Sequence, residues 1–571
     1  MPTRAVRWTC AGLALSMLLL LIGCDSAREP TQPLLPSSRT TTGSADASQQ
    51  HVTFQDITSA QGLSSIYHNG EEAKERSIIE SLGGGVAVID FDRDGWDDLF
   101  FPGGGQLENK SVTGLASSLW HNRDSHILKN VSSAAHIDVV AGYTHGAVSA
   151  DWNNDGFSDL LVSGYSGLQL FTNQGDGTFF EHSLQAGLDD SQWSTSTAFA
   201  DLDCDGDLDL YVTHYVNWSW SNHPACESQG IPDICAPGAF TAIPDVIYFN
   251  NGNGSFEAKS SEVGLAADGK GLGVLATDLD RDGWVDLYVA NDTTNNFLYQ
   301  NLRDGTLQEI ALTCGTAYDN LGTPQGSMGL CTLDYDQDLK PDIWVCNYEN
   351  QAFALYKNDG DFFFRYVTSA AGLMALGTTY VAFGTSAADF DLDGDEDIVV
   401  ANGHVMRFVT KGTEQQALYL NNLGNGRFVR QTFPSDDYFS KTWRGRGVVA
   451  FDYDHDGDMD LVFTNTNQPA ALLQNNTAST GKWLILELVG VHANRDAIGA
   501  SVVIHTTKRQ MLRNVSGGGS YLSQNPYYLH AGLTADEELV RAEILWPSGH
   551  TQIVEKLATN SRTLIVESSD D

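Results

Sequence analysis

Basic residues are scarce in this chain: 32 Lys and Arg face 73 Asp and Glu across 571 residues, a formal net charge of −41. No run of Lys or Arg relieves the deficit, so the basic patch that nucleic-acid binders carry is missing and nucleic acid is not an expected partner. Sequence-local catalytic signatures are missing as well. No HExxH occurs, and the Gly-rich "SGGGSYLSQN" (516–525) lacks the Gly-Lys-Ser/Thr ending of a phosphate-binding loop, so it reads as a turn between strands. "GTSAA" (384–388) loosely resembles a nucleophile elbow, but comparable small residues precede other copies of the repeat described below. Cysteine is sparse, eight in all, and no CxxC spacing points to a zinc site.

A long apolar run stands at the start. "MPTRAVRWTCAGLALSMLLLLIGC" (1–24) has Arg4 and Arg7 ahead of it, the plan of a secretory signal, and ends in "LIGC". That ending resembles a bacterial lipobox, with Cys24 lipidated; a plain cleaved signal or an uncleaved anchor is the alternative. Residues 25–50 are rich in Ser, Thr and Pro without periodicity and read as a flexible tether. Its random-coil reach is about 25–30 Å. The expectation is a protein outside the cytoplasm, in the cell envelope, meeting the membrane only through an N-terminal lipid.

Aspartate is what the chain has in excess, and it is concentrated. "DLDCDGDLDL" (201–210) has nearly matching copies in "DFDRDGWDDL", "DWNNDGFSDL", "DLDRDGWVDL", "DYDQDLKPDI", "DFDLDGDEDI" and "DYDHDGDMDL", seven in all. Oxygen side chains at positions 1, 3, 5 and 9 with a turn-forming Gly at 6 are the ligand plan of an EF-hand-type calcium loop. The candidate ligands are Asp90, Asp92, Asp94 and Asp98; Asp151, Asn153, Asp155 and Asp159; Asp201, Asp203, Asp205 and Asp209; Asp278, Asp280, Asp282 and Asp286. The remaining copies supply Asp334, Asp336, Asp338 and Asp342; Asp389, Asp391, Asp393 and Asp397; Asp452, Asp454, Asp456 and Asp460. Up to seven Ca²⁺ are implied, and metal-free acidic turns are the alternative.

An EF-hand also needs a Glu at position 12 and flanking helices. Position 12 of the third copy is Val212, and the flanks "STAFA" and "LYVTHYV" favour strands, so the loop closes a β-hairpin. Asn153 is a neutral ligand and weakens the second site. Leu339 stands where the other copies have Gly; if that position needs positive φ, the fifth site is the least secure.

A second phrase follows each loop: "LWHN" (119), "LFTN" (170), "IYFN" (247), "LYQN" (298), "LYKN" (355), "LYLN" (418) and "LLQN" (472). Each unit reads strand, acidic loop, strand, connection, strand, turn, strand, which is one blade of a β-propeller. The seventh unit lacks its last strand, and "VTFQDITSAQGL" (52–63) resembles the missing piece, so the ends join and the ring has no open edge. The predicted fold is all-β: a seven-bladed propeller over 51–480 and a small β-rich module over 481–571.

The acidic loops join the first and second strands and share one face; the long insertions at about 102–118, 214–245 and 402–416 join the second and third and share the other. Loops on a rigid scaffold are where binding usually lies. On that opposite face His214, Tyr215, Trp218, Trp220, His404 and Arg407 are the candidate ligand residues, able to stack on sugar rings or meet a protein, or else simply to pack the insertion. Cys226 and Cys235 share one insertion and are expected to form a disulfide; Cys331 and Cys346 flank the fifth loop and could pair across it, while Cys204 and Cys314 stay unassigned.

The repeats resemble the FG-GAP/VCBS repeats of integrin α-type propellers. "GKWLILELVG" (481–490), "NRDAIGASV" (494–502), "SGGGSYLSQN", "LHAGL" (529–533) and "WPSG" (546–549) resemble the ASPIC/UnbV domain that follows such repeats in the cartilage acidic protein-like family, here in a bacterial lipoprotein version. The resemblance implies a secreted or surface-attached calcium-binding protein and no particular substrate. The expected function is an extracytoplasmic module, stabilised by calcium, that binds a glycan or protein. The alternative is a polysaccharide lyase or hydrolase whose acid and base converge on the same face, with His214, Tyr215, His404 and Arg407 as its residues. A purely architectural envelope protein is a third reading.

Overall fold

In a computed structural model, residues 51–124, 127–140, 142–228, 230–377, 379–405 and 412–569 are described; the signal, the tether, Cys24 and Arg407 lie outside them. Residues from Gln50 onward form one compact unit. Seven antiparallel sheets, each with four strands from its own repeat, make up most of it, and the fourth gains Gly517–Gly518 as a fifth strand. In the third, Ser194–Ala200 pairs with Asp209–His214, which pairs with Val246–Asn250, which pairs with Phe256–Ala258. The seventh is completed from the other end of the chain: Phe54–Asp56 pairs with Gln468–Asn475, Phe54 opposite Asn475.

The first strand of each sheet packs against the first strand of the next, and Ala87–Ile89 of the first sheet lies against both Tyr143–Ala150 of the second and Gly445–Phe451 of the seventh. These inner strands are buried on both faces, which accounts for their small residues ("STSTAFA", "GLGVLAT", "AFGTSAA"). The approach is close: a Cβ on Gly329 would sit 2.0 Å from the carbonyl oxygen of Phe383 in the neighbouring sheet.

The recurrent Asn that ends each "LYxN" phrase explains how sheets are joined. Its backbone N–H donates to the position-9 Asp of its own sheet in all seven copies, at Asn122, Asn173, Asn250, Asn301, Asn358, Asn422 and Asn475. Its side-chain Nδ2 donates at 2.7–3.0 Å to the loop position-2 carbonyl of the preceding sheet. Asn122 of the first sheet completes the series by donating to Tyr453 of the seventh. In the sixth copy the residue is Asn422, one place beyond the "LYLN" read from sequence, because Leu420 is the residue paired with Ile398.

The C-terminal segment forms two further sheets, of Lys482–Val489, Leu529–Leu533 and Ser561–Val566, and of Gln510–Asn514, Ser501–Thr506, Leu539–Leu545 and Thr551–Glu555. "SGGGSYLSQN" does more than turn between them, a correction to the sequence reading. It reaches the inner strands of all seven sheets. Gln524 exchanges backbone bonds with Val86 and Val88, Ala147 donates to the Leu522 carbonyl, and Leu522 N–H donates to Ser196 Oγ. Gly519 donates to Val274, and Ser520 pairs with Leu330 by two backbone bonds. The Ser520 hydroxyl accepts from Thr385 N–H and donates to the Val448 carbonyl. Glycines 517–519 let the backbone pass this near the inner strands; a Cβ on Gly517 would lie 2.0 Å from the Phe199 carbonyl oxygen.

Cys226 and Cys235 are joined as a disulfide. Cys331 and Cys346 are free and buried, so the cross-hairpin pairing left open by the sequence is not formed. A bulge between Ser327 and Leu330 sets the register so that Cys331 faces Trp344.

Candidate metal centres

Each acidic loop is a first-to-second-strand hairpin turn built the same way. In the second to sixth loops the position-1 carboxylate accepts the N–H groups of positions 5 and 6, as Asp201 does from Asp205 and Gly206, Asp278 from Asp282 and Gly283, and Asp389 from Asp393 and Gly394, while Asp90 and Asp452 accept from Gly95 and Gly457 at position 6. Position 6 is left-handed in all seven, including Leu339 at φ 64°. Position 4 is left-handed too, at Arg93, Asn154, Cys204, Arg281, Gln337, Leu392 and His455, all between φ 56° and 61°. This strained second position was not read from sequence, since its residue type varies freely.

The carboxylates converge. One oxygen from each of Asp90, Asp92 and Asp98 lies within 4.8 Å of the others, as do those of Asp201, Asp203 and Asp209, of Asp278, Asp280 and Asp282, and of Asp334, Asp336 and Asp342. Several buried oxygens in the loops have no hydrogen-bond partner: Asp90 Oδ1, Asp159 Oδ2, Asp203 Oδ1, Asp336 Oδ1 and Asp454 Oδ1. Orphaned buried carboxylate oxygens are costly unless a cation meets them. Asn153 stands at position 3 of the second loop, its Oδ1 accepting Asp155 N–H.

Burial and neighbouring carboxylates push the metal-free acids upward. Asp151, Asp201, Asp278, Asp334 and Asp452 rise to about 7 and Asp90 to about 6, with burial the main cause. Position-9 acids such as Asp209, Asp286 and Asp460 are likewise raised well above the ordinary carboxylate range by burial. A divalent cation bound by oxygen ligands replaces those protons. The donor set, all oxygen with four side chains per loop, fits calcium rather than zinc or copper.

The opposite face is less open than its sequence suggests. His214, Tyr215 and Trp218 are buried, at 2%, 1% and 3% exposure. His214 bonds Asp190 and the Pro244 carbonyl, and Tyr215 OH donates to Asp292 at 2.6 Å. Trp218 packs among Tyr165, Trp193, Trp220 and His223. These rings fasten the disulfide-bearing insertion to the body because burying several large apolar rings outweighs leaving them in water. Among the described candidates, packing of the insertion accounts for His214, Tyr215 and Trp218, and Trp220 is half-buried. His404 is also buried, against Tyr348 and 3.3 Å from Glu349. What this face offers is an apolar recess of about 140 Å³ whose walls include Leu82, Tyr215, Ile234, Asp292, Met328 and Phe383.

Comparison with known proteins agrees with this architecture. The FG-GAP-like repeat model matches residues 151–212, 229–289, 278–345, 334–400 and 403–463, and the ASPIC and UnbV model matches 490–571. The chain is 24% identical over 503 residues to cartilage acidic protein 1 of Xenopus tropicalis, covering 81% of this chain and 70% of that protein. Against the human protein of that name it is 23% identical over 490 residues, covering 81% and 69%. Solved structures similar to it include an Agrocybe aegerita lectin that recognises non-reducing terminal N-acetylglucosamine (TM-score 0.39, 17% identity, 69% of this chain and 94% of that one). Another is the BP39L lectin of Burkholderia pseudomallei (TM-score 0.39, 10% identity, 70% and 97%). The chain belongs to the FG-GAP-like repeat family and carries an ASPIC and UnbV domain at its C-terminal end.

Proposed function

We propose that this protein is a calcium-stabilised binding module on a seven-bladed propeller, displayed outside the cytoplasm, that holds a glycan or a protein with the face opposite its acidic loops. The observation that carries the reading is the repeated hairpin with converging carboxylates, orphaned buried oxygens and a position-9 Asp that also positions the Asn bridging to the next sheet. Calcium bound there stabilises the turn and, through that Asn, the junction between sheets. Its role is structural. Cys24 lipidation and attachment in the cell envelope complete the reading, as the origin of a calcium-rich setting.

Recognition is assigned to the insertions at 102–118, 214–245 and 402–416 and the recess beside Tyr215 and Asp292. An enzyme is not favoured, since His214, Tyr215 and His404 are buried and already bonded. The test is the calcium-loaded protein against a panel of extracellular polysaccharides, following both retention and chain length, with a chelated control. Retention without shortening is expected. Shortened chains overturn the binding reading in favour of a lyase or hydrolase.

A further inference from the structure

The fifth acidic loop differs from the other six in what lies against its carboxylates. Lys357 precedes the bridging Asn358, and its Nζ donates to Asp336 Oδ2 and, at 2.9 Å, to Asp338 Oδ2. These are the ligand positions 3 and 5. The lysine side chain is 12% exposed, so the contact is largely shielded from water. Lys340, at loop position 7, places a second ammonium 3.0 Å from the same Asp338 oxygen.

Among the described residues no other repeat sets two lysines on its ligand carboxylates, although His121 meets Asp92 and Asp98 in the first loop and Arg495 lies 3.5 Å from Asp151 in the second. The residue equivalent to Lys357 is His121, Thr172, Phe249, Gln300, Asn421 or Gln474 in the other six. In the fourth loop Arg303 reaches Asp282, but its side chain is 52% exposed and its ion pair is with that one carboxylate. The fifth loop also has Leu339 in place of the position-6 glycine, held at φ 64°.

The charge balance is direct. Two ammonium groups carry together the charge of one Ca²⁺, and they are delivered to the carboxylates that calcium would have to recruit. Asp336 already shares a centre with Asp334 and Asp342, so an ion entering there must displace Lys357 from Asp336 and Asp338, stranding a mostly buried ammonium. Asp336 Oδ1, the oxygen that Lys357 does not reach, has no hydrogen-bond partner.

We propose that Lys357, assisted by Lys340, is a built-in counter-ion that takes the place of calcium in the fifth loop, so that this hairpin is held independently of calcium while the other six loops bind it. The inference rests on the calcium reading of those six. It makes the fifth sheet the part of the ring that keeps its loop geometry when calcium is withdrawn.

The experiment measures calcium retained per chain by the full protein after gel filtration in calcium-free buffer. Asp336→Asn with Asp338→Asn is expected to retain as many ions as the wild type, whereas Asp203→Asn with Asp205→Asn retains one fewer. Loss of one ion from the fifth-loop variant overturns the proposal. A second arm keeps it testable if that variant folds poorly. Lys357→Gln, which installs the residue found in the fourth and seventh repeats, is expected to lower the melting temperature in chelator by several degrees; an unchanged melt there overturns it too. A wild-type protein that retains no calcium at all refutes the calcium reading itself, a result distinct from either of these.

Discussion

The Asn bridge between sheets is the feature most directly exposed to a single substitution. Asn301 is 4% exposed; its Nδ2 donates to the Leu202 carbonyl of the third sheet at 2.8 Å and to Val285 at 3.2 Å, and its Oδ1 accepts Arg303 N–H. Asn301→Ala leaves two buried carbonyls without this donor. Each unsatisfied buried polar group is worth about 1–3 kcal/mol, and the two together about 2–4 kcal/mol after partial relaxation. In a unit this large, roughly 1–2 °C of melting temperature is lost per kcal/mol, so a fall of about 2–8 °C is expected in calcium-loaded protein followed by scanning fluorimetry. Asn301→Asp should fall further, because a carboxylate cannot donate and faces two carbonyl oxygens. The control is Asn251→Ala, whose exposed amide bonds only its own turn at Ser255. If Asn301→Ala melts within 1 °C of that control, the bridge does not hold neighbouring sheets together and the argument from the repeated Asn is wrong.

Other outcomes follow from the same structure. Position-1 acids raised to about 7 in the metal-free protein sit above the ~3.9 of an unfolded Asp, so the folded state holds more protons between those values and its stability falls as pH rises. In chelator the melting temperature should therefore drop from pH 5 to pH 8, while the increment given by saturating calcium grows; an increment that does not change with pH contradicts this. Ser520→Pro removes the N–H donated to Leu330 and the hydroxyl shared with Thr385 and Val448, and should cost several kcal/mol and prevent accumulation of folded protein; a variant that melts like the wild type shows that 516–525 is dispensable to the packing of the inner strands. Cys24→Ala should release the protein from the membrane fraction or block its processing, and a mutant that fractionates unchanged removes the lipidation reading.

Much of the architecture was legible because the repeat is written in residues with strong local meaning. Asp at alternate positions, Gly in a left-handed turn and short β-branched runs each carry a local signal, and the missing strand of the seventh unit was matched by 52–63 at the other terminus. The bridging Asn was visible as a recurrent letter. Its partner was not, because Asn301 and Leu202 are 99 residues apart and no local pattern links them. The course of "SGGGSYLSQN" was hidden for the opposite reason: a Gly/Ser-rich segment looks like any turn, and only the seven inner strands around it give it a path. Aromatic residues left two readings open. Trp218 and Tyr215 can bind a sugar or fill a core with equal ease, and the disulfide-closed insertion buries them. The role of Lys357 depended on reach, since the position's other residues are neutral or weakly basic and nothing in "LYKN" shows that its ammonium meets two carboxylates of the hairpin.

The central claim is that the acidic hairpins hold calcium and that calcium holds the ring. Its most direct test is thermal unfolding of the purified protein before and after exhaustive chelation, paired with elemental analysis of the metal retained. Each site occupied at a hundredfold excess over its dissociation constant adds about 2.7 kcal/mol, so the account predicts tightly retained calcium and a marked fall in melting temperature on chelation, restored by adding calcium back. An unchanged melt with no retained metal would contradict it and leave the loops as acidic turns.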